Sequence, residues 1–232
     1  MLSEISEYSL DAKAGDIILF RMIFHGIDPF IVIYDDFAKK KICSKSITNS
    51  KFVIFNECKI ERDGTYSILL SDYEGDDTGD YSFYLQKLNS NSSMTINYGD
   101  SITGTISLSV EMDEYTFEGK EGDIIYSQMI FHQNNLDPTI QIFDSDGNKI
   151  CYSETDNGLY ERKKAQLSNC MLQRNGTYSI FLSENGGDDI GDYSFTFNVI
   201  IDDLKKPIAD EEGVCFIQSN YINFFNFFSL LD

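Results

Sequence analysis

Five cysteines and two acidic loops are the side chains in this sequence best suited to chemistry. Cys43 and Cys58 form a pair in the first half, Cys151 and Cys170 a matching pair in the second, and Cys215 stands alone near the C-terminus. A pair that recurs in both halves predicts one disulfide per half, Cys43–Cys58 and Cys151–Cys170. Each would close a short loop, worth about 3 kcal/mol through restriction of the unfolded chain. Buried free thiols are the alternative reading. Zinc is disfavoured, because C-x-x-C spacing is absent and His25 and His132, the only histidines, are remote in sequence from the cysteines. Disulfides persist in oxidising compartments, so the pairing implies an extracellular or cell-surface protein.

The loops "EGDDTGDY", with Asp76, Asp77 and Asp80, and "GGDDIGDY", with Asp188, Asp189 and Asp192, each set three carboxylates beside glycine. Calcium favours such hard oxygen ligands, yet it takes six to eight of them and EF-hand spacing is missing. Ordinary turn chemistry explains the same residues. "DSDGN", with Asp144, Asp146 and Asn148, resembles the opening of a calcium loop without its glutamate. No cofactor is required on this reading, and calcium is the candidate ligand. The nucleophile, zinc-protease and phosphate-loop motifs are absent, and His25 and His132 recur without a reacting partner. The sequence therefore points away from catalysis.

These residues sit within a repeat. "EYSLDAKAGDIILFRMIFH" from Glu7 recurs as "EYTFEGKEGDIIYSQMIFH" from Glu114, and "RDGTYSILLSDYEGDDTGDYSF" from Arg62 as "RNGTYSIFLSENGGDDIGDYSF" from Arg174. Length differences fall only in polar stretches, as expected when loops vary and strands hold register. Within each copy, short β-rich runs alternate with turns. Asp146-Gly147 and Asn175-Gly176 both carry hairpin chemistry. Asp28-Pro29 and Asp137-Pro138 read as strand-entry turns. The pattern predicts an all-β chain of two tandem antiparallel sandwiches. The second copy opens with "MTINYGDSITGTISLSVEMD", read as a strand and a hairpin arm, whereas only "MLSEIS" precedes the first copy. The first sandwich should therefore lack a strand and leave an unpaired edge. The apolar tail, residues 213–232, is a candidate donor for it.

Both copies resemble the bacterial and archaeal pre-peptidase C-terminal domain over residues 5–88 and 94–201. The resemblance rests on "D-E-Y-x-F-x-x-x-x-G-D", "L-D-P-x-I-x-I-x-D-x-x-G", "N-G-T-Y-x-I-x-L" and "G-D-Y-S-F" in order. It implies jelly-roll-like sandwiches without activity of their own, attached to a parent peptidase or surface protein, some relatives binding collagen or calcium. The expected domains are residues 1–89, residues 94–201 and a tail, 202–232.

Composition agrees with that class. The hydrophobic fraction of 42% is enough for packed cores, and Tyr and Phe are abundant. A net charge of −20 opposes nucleic-acid and anionic-membrane partners. No run reaches the length for membrane insertion. The N-terminus has neither a basic nor an apolar leader region, so no signal peptide is expected there. The expected function is a non-catalytic binding or spacer module contacting extracellular protein or polysaccharide; the alternative is a calcium-stabilised surface repeat. Asn91 and Asn175 match glycosylation sequons, but Asp63 replaces Asn175 in the first copy, which favours a turn role.

Overall fold

The computed structural model describes residues 5–46, 52–88, 93–133, 136–154 and 164–200, with the pairs 208–209 and 215–216. Every regular element among them is a strand, as the alternating pattern predicts. The first copy contributes β1 (Ser6–Ala12), β2 (Ile17–His25), β3 (Pro29–Asp35), β4 (Lys40–Ser46), β5 (Phe52–Lys59), β6 (Gly64–Asp72) and β7 (Asp80–Lys87). The second contributes β8 (Met94–Thr95), β9 (Ser101–Ile106), β10 (Met112–Gly119), β11 (Ile124–Phe131), β12 (Pro138–Asp144), β13 (Lys149–Glu154), β14 (Lys164–Met171), β15 (Gly176–Glu184) and β16 (Gly191–Ile200).

Two sheets, β1-β6-β3-β4 and β5-β2-β7, enclose the first core; β13-β12-β15-β10-β8 and β14-β11-β16-β9 enclose the second. Strand faces follow the pleat. On β16, Tyr193, Phe195 and Phe197 are fully buried while Asp192 and Asn198 are exposed. The repeat is preserved in register as well: Ile31 lies opposite Leu70 as Ile140 lies opposite Leu182. Pro29 and Pro138 open β3 and β12, where a missing N–H does no harm.

Three expectations change. Asn175-Gly176 does not close a hairpin, because β14 pairs with β11 while β15 pairs with β10 and β12 in the other sheet. The turn carries the chain across the sandwich; of the two, the Asp146-Gly147 turn, between β12 and β13, is the one that joins paired strands. The opening segment of the second copy is likewise not a strand with a hairpin arm. β9 joins β16, whereas β8 crosses to the opposite sheet and pairs in parallel with β10, the exception to antiparallel pairing. Finally, the alternation of burial that the pleat of a strand predicts is hidden on β12: all seven residues are buried, although β3 alternates cleanly.

Among the described residues no counterpart of β8 or β9 joins the first sandwich. Among the described residues no strand pairs with the outer edge of β7. Tyr8 is consequently 38% exposed, against 5% for its equivalent Tyr115. The suggestion that residues 213–232 donate the strand lies outside the described residues, apart from Cys215–Phe216, which pairs with Ile208–Ala209.

In the second sandwich β9 passes directly over an aromatic ring. A Cβ on Gly104 would come within 2.4 Å of the Tyr193 ring, so only glycine fits. Gly104→Val should destabilise the second sandwich by about 1–3 kcal/mol through overpacking. Urea unfolding followed by tyrosine fluorescence checks this; an unchanged midpoint would show that β9 is not seated on Tyr193.

Candidate functional site at the junction between the sandwiches

β2 reads "IILFRMIFH", a continuous apolar run, because both of its faces are buried. Ile18, Phe20, Met22 and Phe24 enter the first core. Ile17 and Leu19 point the other way, joining Leu88 in a separate cluster with Met112, Phe143 and Phe181 of the second sandwich, flanked by Ile54 and Tyr84. The outer face of β5-β2-β7 thus covers the outer face of β10, β12 and β15. This explains the burial of Thr139, Gln141 and Phe143 on β12. Gln86 Nε2 donates to Glu114 Oε2 across the junction (2.8 Å), and Ser179 Oγ donates to Glu114 Oε1 (2.9 Å).

Arg21, the third outward residue of β2, is 1% exposed. Its Nη2 donates to the backbone carbonyls of Glu184 and Asn185, the latter at 2.8 Å. Nε and Nη1 have no hydrogen-bond partner. Burial pulls the guanidinium down to about 10, opposed by the negative charges of Glu184 and Asp188. Arg21 therefore ends on the acidic loop of the second sandwich. In the second copy its place is taken by Gln128, which is only half-buried.

The two acidic loops are built differently. Glu184 Oε1 and Oε2 accept the N–H groups of Gly186 (3.1 Å) and Gly187 (2.5 Å). Burial raises the Glu184 carboxyl, against those bonds and Arg21. Asp188 and Asp189 bring carboxylate oxygens within 4.8 Å of one another and of a Glu184 oxygen. Asp192 stands apart, accepting from Thr105 Oγ1 at 2.6 Å. In the first copy Asp72, the equivalent of Glu184, accepts N–H groups from Asp28 (2.9 Å) and Gly75 (2.7 Å), with longer bonds from Asp76 and Asp77. Burial pushes the Asp72 carboxyl up, but these bonds prevail and lower it. Asp76, Asp77 and Asp80 form no metal-sized cluster with their neighbours among the described residues. For calcium, three carboxylates fall short of six to eight oxygens. Glu184 is also engaged by backbone N–H groups, with Arg21 close by. The fit is partial in the second loop and poor in the first.

A second repeated constellation was not singled out from sequence. Arg62 pairs with Asp35 through two hydrogen bonds, one of them Nε to Oδ2 at 2.6 Å, and its carbonyl accepts from Tyr66 Oη at 2.7 Å. Arg174 does the same in the second copy: it contacts Asp144 Oδ2 and Asp146 Oδ2, each at 2.7 Å, and accepts from Tyr178 Oη at 2.8 Å. Burial raises the Asp144 carboxyl, but bonds from Asn148 and Asp146 and the charge of Arg174 leave it lowered. The cation facing Asp144 and Asp146 is thus an arginine of the same sandwich. The readable signal was the recurrence of Arg62 and Arg174 ahead of "GTY" and of Asp35 and Asp144 at strand ends. Asn175 Oδ1 accepts the Glu121 N–H and Asp63 Oδ1 the Ala14 N–H, which accounts for the Asn-to-Asp exchange at that turn. Asn91 lies outside the described residues.

The sulfurs of Cys43 and Cys58 are bonded, with Cα atoms 5.7 Å apart, as are those of Cys151 and Cys170 at 5.9 Å. Each bridge links one sheet to the other, β4 to β5 and β13 to β14. The side chain of Cys215 lies outside the description. His25 is exposed at the end of β2, and the His132 N–H donates to the Asp192 carbonyl at 2.8 Å.

No family model and no curated protein matches the sequence. Among solved structures, the chain is similar to the pre-peptidase C-terminal domain of a collagenase from Bacillus anthracis, with 16% identity and a TM-score of 0.39 over 47% of this chain and 98% of that one. It is similar to the CUB1-EGF-CUB2 segment of human MASP-1/3, with 11% identity and a TM-score of 0.23 over 85% of this chain and 94% of that one. It is also similar to carbohydrate-binding modules of the β-sandwich superfamily, with 9% identity and a TM-score of 0.27 over 86% and 97%. These likenesses are to β-sheet architecture and say nothing of activity.

The hydrogen bonds from Arg62 hold the Asp35 carboxyl at about 2. Its unfolded value is near the usual ~3.9. A depressed folded value means that the stability from this group is full above about pH 4 and lost as pH falls through about 2. Asp35→Asn should therefore flatten the pH dependence of unfolding in that window, leaving wild type and variant closest near pH 2. Parallel pH dependences for the two proteins would show that the pair contributes nothing to acid sensitivity.

Proposed function

We propose that the chain is a non-catalytic spacer or binding unit of a secreted or cell-surface protein, in which two sandwiches act as one stiff body. The observation that supports this reading most is the junction itself. β2 gives one face to its own core and the other to its neighbour, and Arg21 is buried on the neighbour's carbonyls. Two sandwiches joined in that way hold a fixed spacing, which a flexible linker does not. The paired sulfurs fit an oxidising compartment. The acidic surface fits basic or neutral partners, and the partner class we favour is an extracellular protein or polysaccharide.

Calorimetry tests the stiff body. The wild type should unfold in one coupled transition. Arg21→Ala leaves the Glu184 and Asn185 carbonyls with one partner fewer, a cost of about 1–3 kcal/mol, and should separate the transition into two. Arg21→Met, which keeps the apolar stem, distinguishes lost charge from lost packing. Two independent transitions in the wild type would remove the idea.

A calcium-stabilised surface repeat is the second reading, favoured by the Glu184, Asp188 and Asp189 oxygens alone. Titration calorimetry with calcium should then give saturable heat and a raised melting temperature, both abolished by Asp188→Asn. Absence of heat at millimolar calcium would eliminate it.

A further inference from the structure

The second sandwich has an edge covering that the described residues of the first do not include. There, residues 94–106 close one side: β8 caps the edge of β10, β9 caps the edge of β16, and Ile96 and Ile106 are buried in the core with Tyr98 and Ile102 packed against it. On the same side of the first sandwich, the β7 residues Tyr81, Phe83 and Leu85 are only half-buried, although their equivalents Tyr193, Phe195 and Phe197 are fully buried. A recess of about 190 Å³, lined in part by Ser6, Met22, Leu70 and Tyr81, opens there. Tyr8 Oη and Tyr81 Oη bond to each other at 2.8 Å, as Tyr115 Oη and Tyr193 Oη do at 3.0 Å, so the tyrosine pair beneath β9 is kept in the first copy.

We infer that this open side is a strand-acceptor site, filled in trans by an extended polypeptide segment with the chemistry of residues 94–106. Four features define that occupant. It pairs in antiparallel fashion with the outer edge of β7 over Asp80–Tyr84, the stretch equivalent to the part of β16 that β9 covers. Its inward face reads Ile-x-Gly-x-Ile, as Ile102, Gly104 and Ile106 do. Its glycine lies over Tyr81, since a side chain there would meet the ring as one on Gly104 meets Tyr193. Its outward residues are polar, as Ser101, Thr103 and Thr105 are exposed. Main-chain bonds to the edge would supply affinity, and the recess would supply specificity through alternate side chains. This site is separate from the junction, whose residues face the other way from the same sheet.

The probe is a synthetic peptide of residues 94–107, added to the full-length chain and followed by hydrogen exchange and fluorescence titration. Without peptide, the outward amides of Asp80–Tyr84 should exchange freely; with peptide they should slow by about tenfold or more. A peptide with valine in place of Gly104 should bind about tenfold more weakly or worse. Amides already protected without peptide would assign the edge to a segment of the chain itself and overturn the inference. So would equal binding of the two peptides, or no binding at millimolar concentration.

Discussion

A three-stranded sheet buried on both faces is the constraint around which this molecule is arranged. Sheets of a sandwich ordinarily bury one face and wet the other. The β5-β2-β7 sheet supplies half of its own core through Ile18, Phe20 and Met22, and a second apolar surface through Ile17 and Leu19. A substitution on β2 therefore acts on one sandwich or on the junction according to the parity of its position. Arg21 is the one charge tolerated in that run. Burial disfavours its ionised form, but two carbonyls and the nearby carboxylates oppose the penalty. Nε and Nη1 remain without partners, which makes the guanidinium a contact of geometry more than of net stabilisation.

The two copies have diverged where their surroundings differ. β2 is buried on both faces, whereas β11 alternates between buried and half-buried positions, because nothing among the described residues covers its outer side. β12 is buried throughout, whereas β3 alternates, for the converse reason. Leu19 corresponds to Tyr126, Arg21 to Gln128 and Leu69 to Phe181, and each exchange places the larger or more apolar group on the covered face or a polar group on the open one. Tyr126 fits the second description through its hydroxyl. Residues that serve only the inner core, such as Met22 and Met129, or Ile33 and Ile142, stay nearly constant.

Much of this was readable in the sequence, and the parts that were not share a physical cause. Period-two alternation tells which residues of a strand share a face, but not which strand lies alongside. The Asn175-Gly176 turn has the chemistry of a hairpin and serves as a crossing between sheets, because Asn and Gly favour a tight turn whichever strand follows it. The Asp-rich loops looked like ligand sites since carboxylates beside glycine attract a cation. In place, Asp72 and Glu184 accept N–H groups of their own loops, which requires nothing more than the turn itself. The pairing of Arg62 with Asp35 spans two turns and leaves no local signature; only its recurrence as Arg174 with Asp144 could have exposed it. The repeat itself was the most legible feature, because matched strands of the two copies keep the same register, as Ile31 opposite Leu70 and Ile140 opposite Leu182 do.

Acidity in this protein is therefore two separate things. Some carboxylates are structural anions, matched to backbone N–H groups or to arginines that are themselves immobilised, as Asp35, Asp72, Asp144 and Glu184 are. Others, including Asp76, Asp77, Asp188 and Asp189, are exposed and give the surface its sign. Arg21 is buried at the junction, while Arg62 and Arg174, though partly exposed, are each paired with carboxylates of their own sandwich and not with those loops. An approaching partner thus meets negative loops at one end of each sandwich. Along the outer side of β7, where no strand pairs among the described residues, it meets the half-buried rings of Tyr81 and Phe83. Under the strand-acceptor proposal, the loops would disfavour anions and the edge would favour extended backbone, so the occupant it calls for is a neutral or basic extended segment rather than a folded acidic domain.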